Sequence, residues 1–174
     1  MPLYALRFRV EGLEGVARVI AQPSRPDFAL YLQLECISCR EPYAKRTALP
    51  TPFCGDNKVD VPGGRGVATL VQKCASCGSV SSVDVASTEA EAEAFTAEMS
   101  AAGRTAALVS LECRGCVPKS AEAAAGWAVE GSGGTLFEGV DLSSGEFCDF
   151  DEASSESVTA GAVVISIGAA KGGK

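Results

Sequence analysis

The sequence predicts a mainly β protein: two pseudo-symmetric β halves packed as one sandwich- or barrel-like body, with a short helix or linker between them. Three observations carry this. Short runs alternate apolar and polar residues, clusters of Gly, Pro, Asn and Asp separate those runs, and one strand-like segment recurs later in the chain.

The alternating runs are Leu3–Val10, Phe28–Leu34, Gly66–Gln72, Val80–Val85, Ala106–Glu112, Gly126–Glu130 and Ala162–Ile167. A period of two places one face of each strand in a core and the other in water. Turns fall at Gln22–Asp27, Pro50–Asn57, Pro62–Gly66 and Gly131–Gly134. One segment, Thr88–Ala102, reads as helical, being rich in Ala and Glu and free of Gly and Pro, with Ser87 or Thr88 as its cap. Its apolar stripe is thin, so a solvated acidic linker is the competing reading.

Leu32-Gln33-Leu34-Glu35-Cys36-Ile37-Ser38-Cys39 is echoed by Val109-Ser110-Leu111-Glu112-Cys113-Arg114-Gly115-Cys116, the cysteines repeating at an offset of 77 residues. Both are alternating strands that end in Glu-Cys-x-x-Cys. The repeat divides a single domain, residues 1–174, into halves of about 1–86 and 104–170 joined by 87–103.

Composition narrows the function. Of 174 residues, 47% are hydrophobic and 21% charged, the balance of a folded globular chain. The formal charge of −7 opposes the field a nucleic-acid binder needs, and Lys45-Arg46 is the densest cationic pair, so no nucleic-acid partner is expected. The first ten residues alternate and carry charge, unlike a secretory leader, and no run has the length of a membrane span. A cytoplasmic, monomeric protein without membrane contact is the expectation. The chain has no histidine, which removes His-based triads, His general bases and His-rich catalytic zinc sites, so no enzyme is expected.

Eight cysteines are many for this length. In a reducing compartment, paired cysteines are metal ligands or reactive thiols more often than disulfides. A Cys-x-x-Cys turn lets two thiolates converge on one cation, and two such turns complete a tetrahedron. Cys36/Cys39 and Cys74/Cys77 have this form, 34 residues apart, and predict one structural Zn2+ held by Cys36, Cys39, Cys74 and Cys77. Gly78 after Cys77 suits the left-handed residue that closes such a knuckle, whereas Arg40 at the matching place does not. Lys73, Arg40 and Lys45 lie near enough to soften the charge of four thiolates.

A third pair, Cys113/Cys116, lacks two partners, since Cys54 and Cys148 stand alone. Cys113 and Cys116 are read as reduced core or surface thiols or a labile vicinal-type pair, with a second metal site the lesser alternative. An exposed pair here would suit two-coordinate Cu(I), which makes soft-metal handling the alternative function. A thiol-disulfide oxidoreductase is the lesser one, because no pair opens a helix that would lower a thiol's pKa.

Other motifs have structural readings. Gly63-Gly64-Arg65-Gly66 lacks the Lys-Ser/Thr of a phosphate loop and reads as a strand-entry turn, with Arg65 reaching the Asp149–Glu152 cluster. Asp149, Asp151 and Glu152 read as a solvated acidic turn, and Trp127 as core.

Tyr31–Cys36, Gly63–Gly66 leading to Leu70–Cys74, Glu112–Gly115, Gly126–Gly131 and Asp149–Glu152 together resemble, in order, the eukaryotic CXXC motif-containing zinc-binding protein family. The resemblance runs from about Leu3 to Ile167. It implies a mostly β, pseudo-two-fold, cytoplasmic protein, without established catalytic activity, whose one zinc sits on the cysteines matching Cys36, Cys39, Cys74 and Cys77. Cys116 departs from the family pattern, as do Cys54, Cys148 and Thr88–Ala102. The function expected is a zinc-stabilised interaction or scaffold module with a protein partner.

Overall fold

The computed structural model describes residues 2–49, 58–123 and 125–170. They form a mainly β protein with sixteen strands and one short α-helix. In chain order these are β1 (Leu3–Val10), β2 (Val16–Ala21), β3 (Leu30–Cys36), β4 (Thr47–Leu49), β5 (Val59–Asp60), β6 (Val67–Ala68), β7 (Leu70–Lys73), β8 (Val80–Val85), β9 (Phe95–Thr96), α1 (Ala97–Ala101), β10 (Ala106–Arg114), β11 (Cys116–Ala123), β12 (Trp127–Gly131), β13 (Leu136–Val140), β14 (Glu146–Asp151), β15 (Glu156–Gly161) and β16 (Val163–Ala169).

Every strand pairing is antiparallel. The three larger sheets run β16-β1-β10-β8-β7, β13-β12-β2-β9 and β11-β3-β4, with two-stranded ribbons β14-β15 and β5-β6. The β1 register, Tyr4 opposite Leu111 and opposite Ala169, ties both ends of the described chain to one strand. Each larger sheet therefore mixes strands from the two segments that the sequence repeat separates, and the two copies of the repeat, β3 and β10, lie in different sheets.

Alternation explains which faces meet. In β3, Leu30, Leu32, Leu34 and Cys36 point inward while Tyr31, Gln33 and Glu35 do not. In β10, Ala106, Leu108, Leu111 and Cys113 are buried. The core between the sheets centres on Trp127, which has no exposed surface, as the sequence predicts. Phe8 and Phe28 pack on it with ring centroids 5.0 and 6.1 Å away, and Phe95 extends the cluster from Phe8 at 6.0 Å.

The 87–103 stretch shows why its helical reading is only partly met. Glu89–Glu91 makes a 3-10 turn, Phe95–Thr96 pairs with β2, and α1 is confined to Ala97–Ala101. The pairing of Val19 with Phe95 buries that aromatic, and its burial outweighs the helix propensity of the flanking Ala and Glu. No helix among the described residues is long and apolar enough to cross a membrane.

Candidate metal centre

Two hairpin turns meet at one end of the β body. The first follows β3 and carries Cys36 and Cys39; the second joins β7 to β8 and carries Cys74 and Cys77. Both have the same backbone plan. The N–H of Arg40 donates to the Cys36 carbonyl and that of Gly78 to the Cys74 carbonyl, each at 2.9 Å. The N–H of Cys36 donates to Glu41 at 3.0 Å and that of Cys74 to Ser79 at 2.8 Å, which closes each turn.

The residue after the second cysteine is left-handed in both turns: Gly78 has φ 76° and Arg40 φ 64°. The mismatch expected at Arg40 is therefore absent as a difference of shape. The arginine adopts the glycine conformation and bears its steric cost, because the hydrogen bonds of the turn hold it there.

All four sulfurs lie within 4.8 Å of one another. Across the two turns, Cys36 Sγ stands 3.7 Å from Cys77 Sγ, and Cys39 Sγ 3.7 Å from Cys74 Sγ. A tetrahedron of sulfurs about 2.3 Å from a central Zn2+ has edges of about 3.8 Å. The cross-turn spacing is that edge length, and four soft thiols without a competing oxygen ligand are a donor set suited to zinc. Among the described residues this is the one group of three or more cysteine, aspartate or glutamate side chains so convergent.

The site's electrostatics follow from crowding. The Ser79 hydroxyl, 3.2 Å away, and then the Ser79 amide pull the Cys77 thiol down to about 6. The Glu41 amide favours the Cys39 thiolate, but burial and hydrogen bonds to Cys74, Cys77 and Cys36 overcome it and push Cys39 up to about 12. Cys74 is lowered, chiefly by the Cys77 amide. A divalent ion among the four sulfurs would favour the thiolate form of each and so offset the burial that raises Cys39. Arg40 and Lys73 lie exposed on the two turns, where their charges face solvent beside the thiolates.

Beneath the turns lies a polar floor. The Tyr43 hydroxyl and Ser81 hydroxyl are 2.5 Å apart, and Ser81 donates to the Gln72 carbonyl at 3.2 Å. Tyr43 and Ser81 are buried, so these bonds satisfy groups that would otherwise cost stability. Nothing in the sequence pattern pointed to this pair.

The other predicted features fall elsewhere. Cys113 and Cys116 are 0% and 1% exposed, so the exposed soft-metal pair that motivated a copper reading is not there; Cys113 falls on the buried face of β10 and Cys116 opens β11 at a buried position. Cys148 is exposed, and Cys54 lies outside the described residues. Arg65 does not meet the Asp149–Glu152 cluster; it lines a small cleft with Asp84, Glu112 and Arg114. Within that cluster Asp151 is buried rather than solvated. It accepts hydrogen bonds from Thr135 Oγ1 at 2.6 Å, Gly133 N at 2.8 Å and Ala153 N at 2.9 Å, and so fixes the turn between β12 and β13.

Fold and site together define a class: a mainly β protein whose two Cys-x-x-Cys turns converge on a candidate metal position. The sequence model described as the eukaryotic CXXC motif containing zinc binding protein matches residues 5–167, and the chain belongs to that family. A Xenopus laevis protein named CXXC motif containing zinc binding protein is 33% identical over 159 residues, covering 91% of this chain and 92% of its own. A Mus musculus protein of the same name is 34% identical over 147 residues, covering 84% and 86%. The crystal structure of C1orf123 superposes with a TM-score of 0.78 at 29% identity, covering 97% of this chain and 99% of its own. A hypothetical protein from Plasmodium falciparum shares the fold at a TM-score of 0.75 and 18% identity.

Proposed function

We propose that Cys36, Cys39, Cys74 and Cys77 hold one structural Zn2+ and that the β body it locks together is a protein-interaction or scaffold module. The observation that carries the reading is the pair of 3.7 Å sulfur spacings, each bridging the two turns. Membership of a zinc-binding family supports the choice of metal. A zinc–tetrathiolate centre contributes on the order of 10 kcal/mol to folding in zinc-finger peptides, and with all four positions filled by protein it leaves no place for a substrate.

The remaining role is recognition of a protein partner by the exposed β surface. The net charge of −7 speaks against nucleic acid, and the absence of histidine against the common hydrolytic and acid–base machineries. A cytoplasmic monomer is the setting proposed, since four free thiolates persist where thiols stay reduced.

Elemental analysis tests the centre. One zinc per chain is expected in the purified protein, and Cys74→Ser is expected to lose it. Full zinc retention in Cys74→Ser would overturn the assignment. Affinity capture with zinc-loaded protein, against the Cys74→Ser form as control, tests the interaction role: a partner held equally by both forms would refute it.

A further inference from the structure

The β14–β15 ribbon is closed along one side and open along the other. Among the described residues β14 pairs with β15 alone. The far side of β15 is taken by the loop before β2: the Thr159 N–H donates to the Glu14 carbonyl at 2.9 Å and the Gly161 N–H to the Glu11 carbonyl at 2.7 Å. The register partners of Thr159 and Gly161, Cys148 and Glu146, therefore sit in non-hydrogen-bonded pairs, and by alternation so does Phe150 opposite Ser157. The main-chain groups of Glu146, Cys148 and Phe150 thus point off the ribbon, along the open edge. There the Phe150 N–H meets no strand and donates instead to the neighbouring Asp149 carboxylate at 2.7 Å.

The same edge carries an exposed ring. Phe147 packs edge-on against Phe137 at 5.6 Å and Asp151 holds the turn between β12 and β13, so both face the body of the protein. Alternation turns Phe150 to the other face, where at 52% exposure it is the most exposed aromatic side chain among the described residues. An apolar ring beside unpaired main-chain groups is an arrangement that accepts an added strand.

Charge decides which strand. From Ser120 to Ala170 the chain has nine aspartates and glutamates and no lysine or arginine. Glu122 and Glu130 pair with Arg46 and Arg18, and Asp151 is buried. Glu138, Asp141, Glu146, Asp149, Glu152 and Glu156 form no ion pair among the described residues, and the last four lie on the ribbon or its connecting turn. A second copy docking edge to edge would bring these like charges together, whereas a basic segment is drawn to them.

We propose that the open edge of β14 is the docking site for a basic, extended segment of a partner protein, one that alternates Lys or Arg with apolar residues and adds as a further strand. A carbonyl of that segment takes over the Phe150 N–H, which frees the Asp149 carboxylate to pair with a basic side chain. Phe150 and Asp149 lie on opposite faces of β14, so the apolar residues of the added strand meet the ring and the basic ones meet the carboxylate. This rests on the reading of the protein as an interaction module and gives the chemistry of its partner.

The test uses full-length, zinc-loaded protein and three short peptides: one alternating Lys and Val, one alternating Glu and Val, and one with the same Lys and Val residues grouped in two blocks. Backbone amide chemical shifts and hydrogen exchange are followed through each titration. Expected are shifts and slowed exchange at Cys148 and Phe150 with the alternating Lys/Val peptide alone, and an affinity that falls as salt is added. Phe150→Ser and Asp149→Asn, both at exposed positions and with zinc content unchanged, are each expected to weaken binding about tenfold. Absence of any shift along β14 up to about 1 mM peptide would overturn the proposal. So would equal binding of the blocked or the Glu/Val peptide, shifts without slowed exchange at the edge, or unchanged affinity in both variants. Zinc-dependent capture of a partner that ignores both variants would also overturn it, while leaving the interaction reading in place.

Discussion

Gly115, alone between β10 and β11, offers the sharpest test of how the corner beside the metal centre is held. Replacing it with alanine introduces two penalties. One is conformational: at φ 75° a Cβ clashes with the following carbonyl, costing about 1–2 kcal/mol. Part of this is offset, because alanine restricts the unfolded chain by about 0.4–1 kcal/mol relative to glycine. The other is steric: the new carbon would lie 2.9 Å from the Val80 oxygen and 3.3 Å from Ser81 Cα, both backbone atoms of β8. Overpacking against atoms that cannot swing aside costs about 1–3 kcal/mol. Gly115→Ala is therefore expected to lose about 2–4 kcal/mol. Gly103→Ala is the control, because Gly103 has φ 64° with nothing within 4 Å of the added carbon, leaving a net conformational cost of about 1 kcal/mol. Urea unfolding of both variants at saturating zinc measures the gap, which at a slope of about 2 kcal/mol per molar is on the order of 1 M between midpoints. Coincident midpoints would refute the close approach of β8 to the corner.

Three further outcomes are expected. Arg40→Gly, freeing a left-handed non-glycine residue, is expected to retain zinc and gain about 0.5 kcal/mol, whereas Gly78→Val in the matching turn loses stability; urea midpoints that shift in the same direction for both would refute the shared turn geometry. Asp151 is held below the usual carboxylate range, first by the Thr135 hydroxyl and then by the amides of Gly133, Ala153 and Ser154, against the opposing effect of burial. A lowered folded value means its contribution is full above the unfolded value of about 3.9 and fades as pH falls through the folded one. Asp151→Asn should thus be less stable than the parent at pH 7, with the gap in denaturation midpoint narrowing below pH 4; a pH-independent gap would refute the charge-based account. Trp127→Ala empties the centre of the aromatic cluster and is expected to cost about 3–5 kcal/mol by urea unfolding followed by circular dichroism, a loss under about 1 kcal/mol contradicting the packing.

The cysteine spacing made the four converging thiols legible in the sequence, because a Cys-x-x-Cys turn is a local geometry that needs little from the rest of the fold. Strands with unbroken alternation, such as Leu3–Val10, were equally plain. Several strands absent from the sequence pattern break the period. β11 carries Pro118 and a register shift between Pro118 and Ser120, so its inward residues change phase midway. β14 is mostly exposed and acidic, so its sequence Glu146–Asp151 resembles a solvated loop, and the one carboxylate the fold buries is not distinguishable from its neighbours by type. β2, beside the Gln22–Asp27 turn, has two exposed residues in succession between buried Val16 and Val19, so it shows no clean alternation. The left-handed Arg40 was hidden because the hydrogen bonds that impose it belong to the closed turn and not to the residue.

The mixing of early and late strands in every larger sheet also sets a tempo. Tyr4 cannot find Leu111 until more than half the chain is available, and Ala21 waits likewise for Trp127. Long closures of this kind slow folding to the scale of milliseconds to seconds. The loop between Cys36 and Cys74 is far shorter, so the two turns can be tethered by an ion while the distant strands are still searching. A cation captured early would shorten that search, and the order of events, ion first or sheet first, can be read from the zinc dependence of the refolding rate.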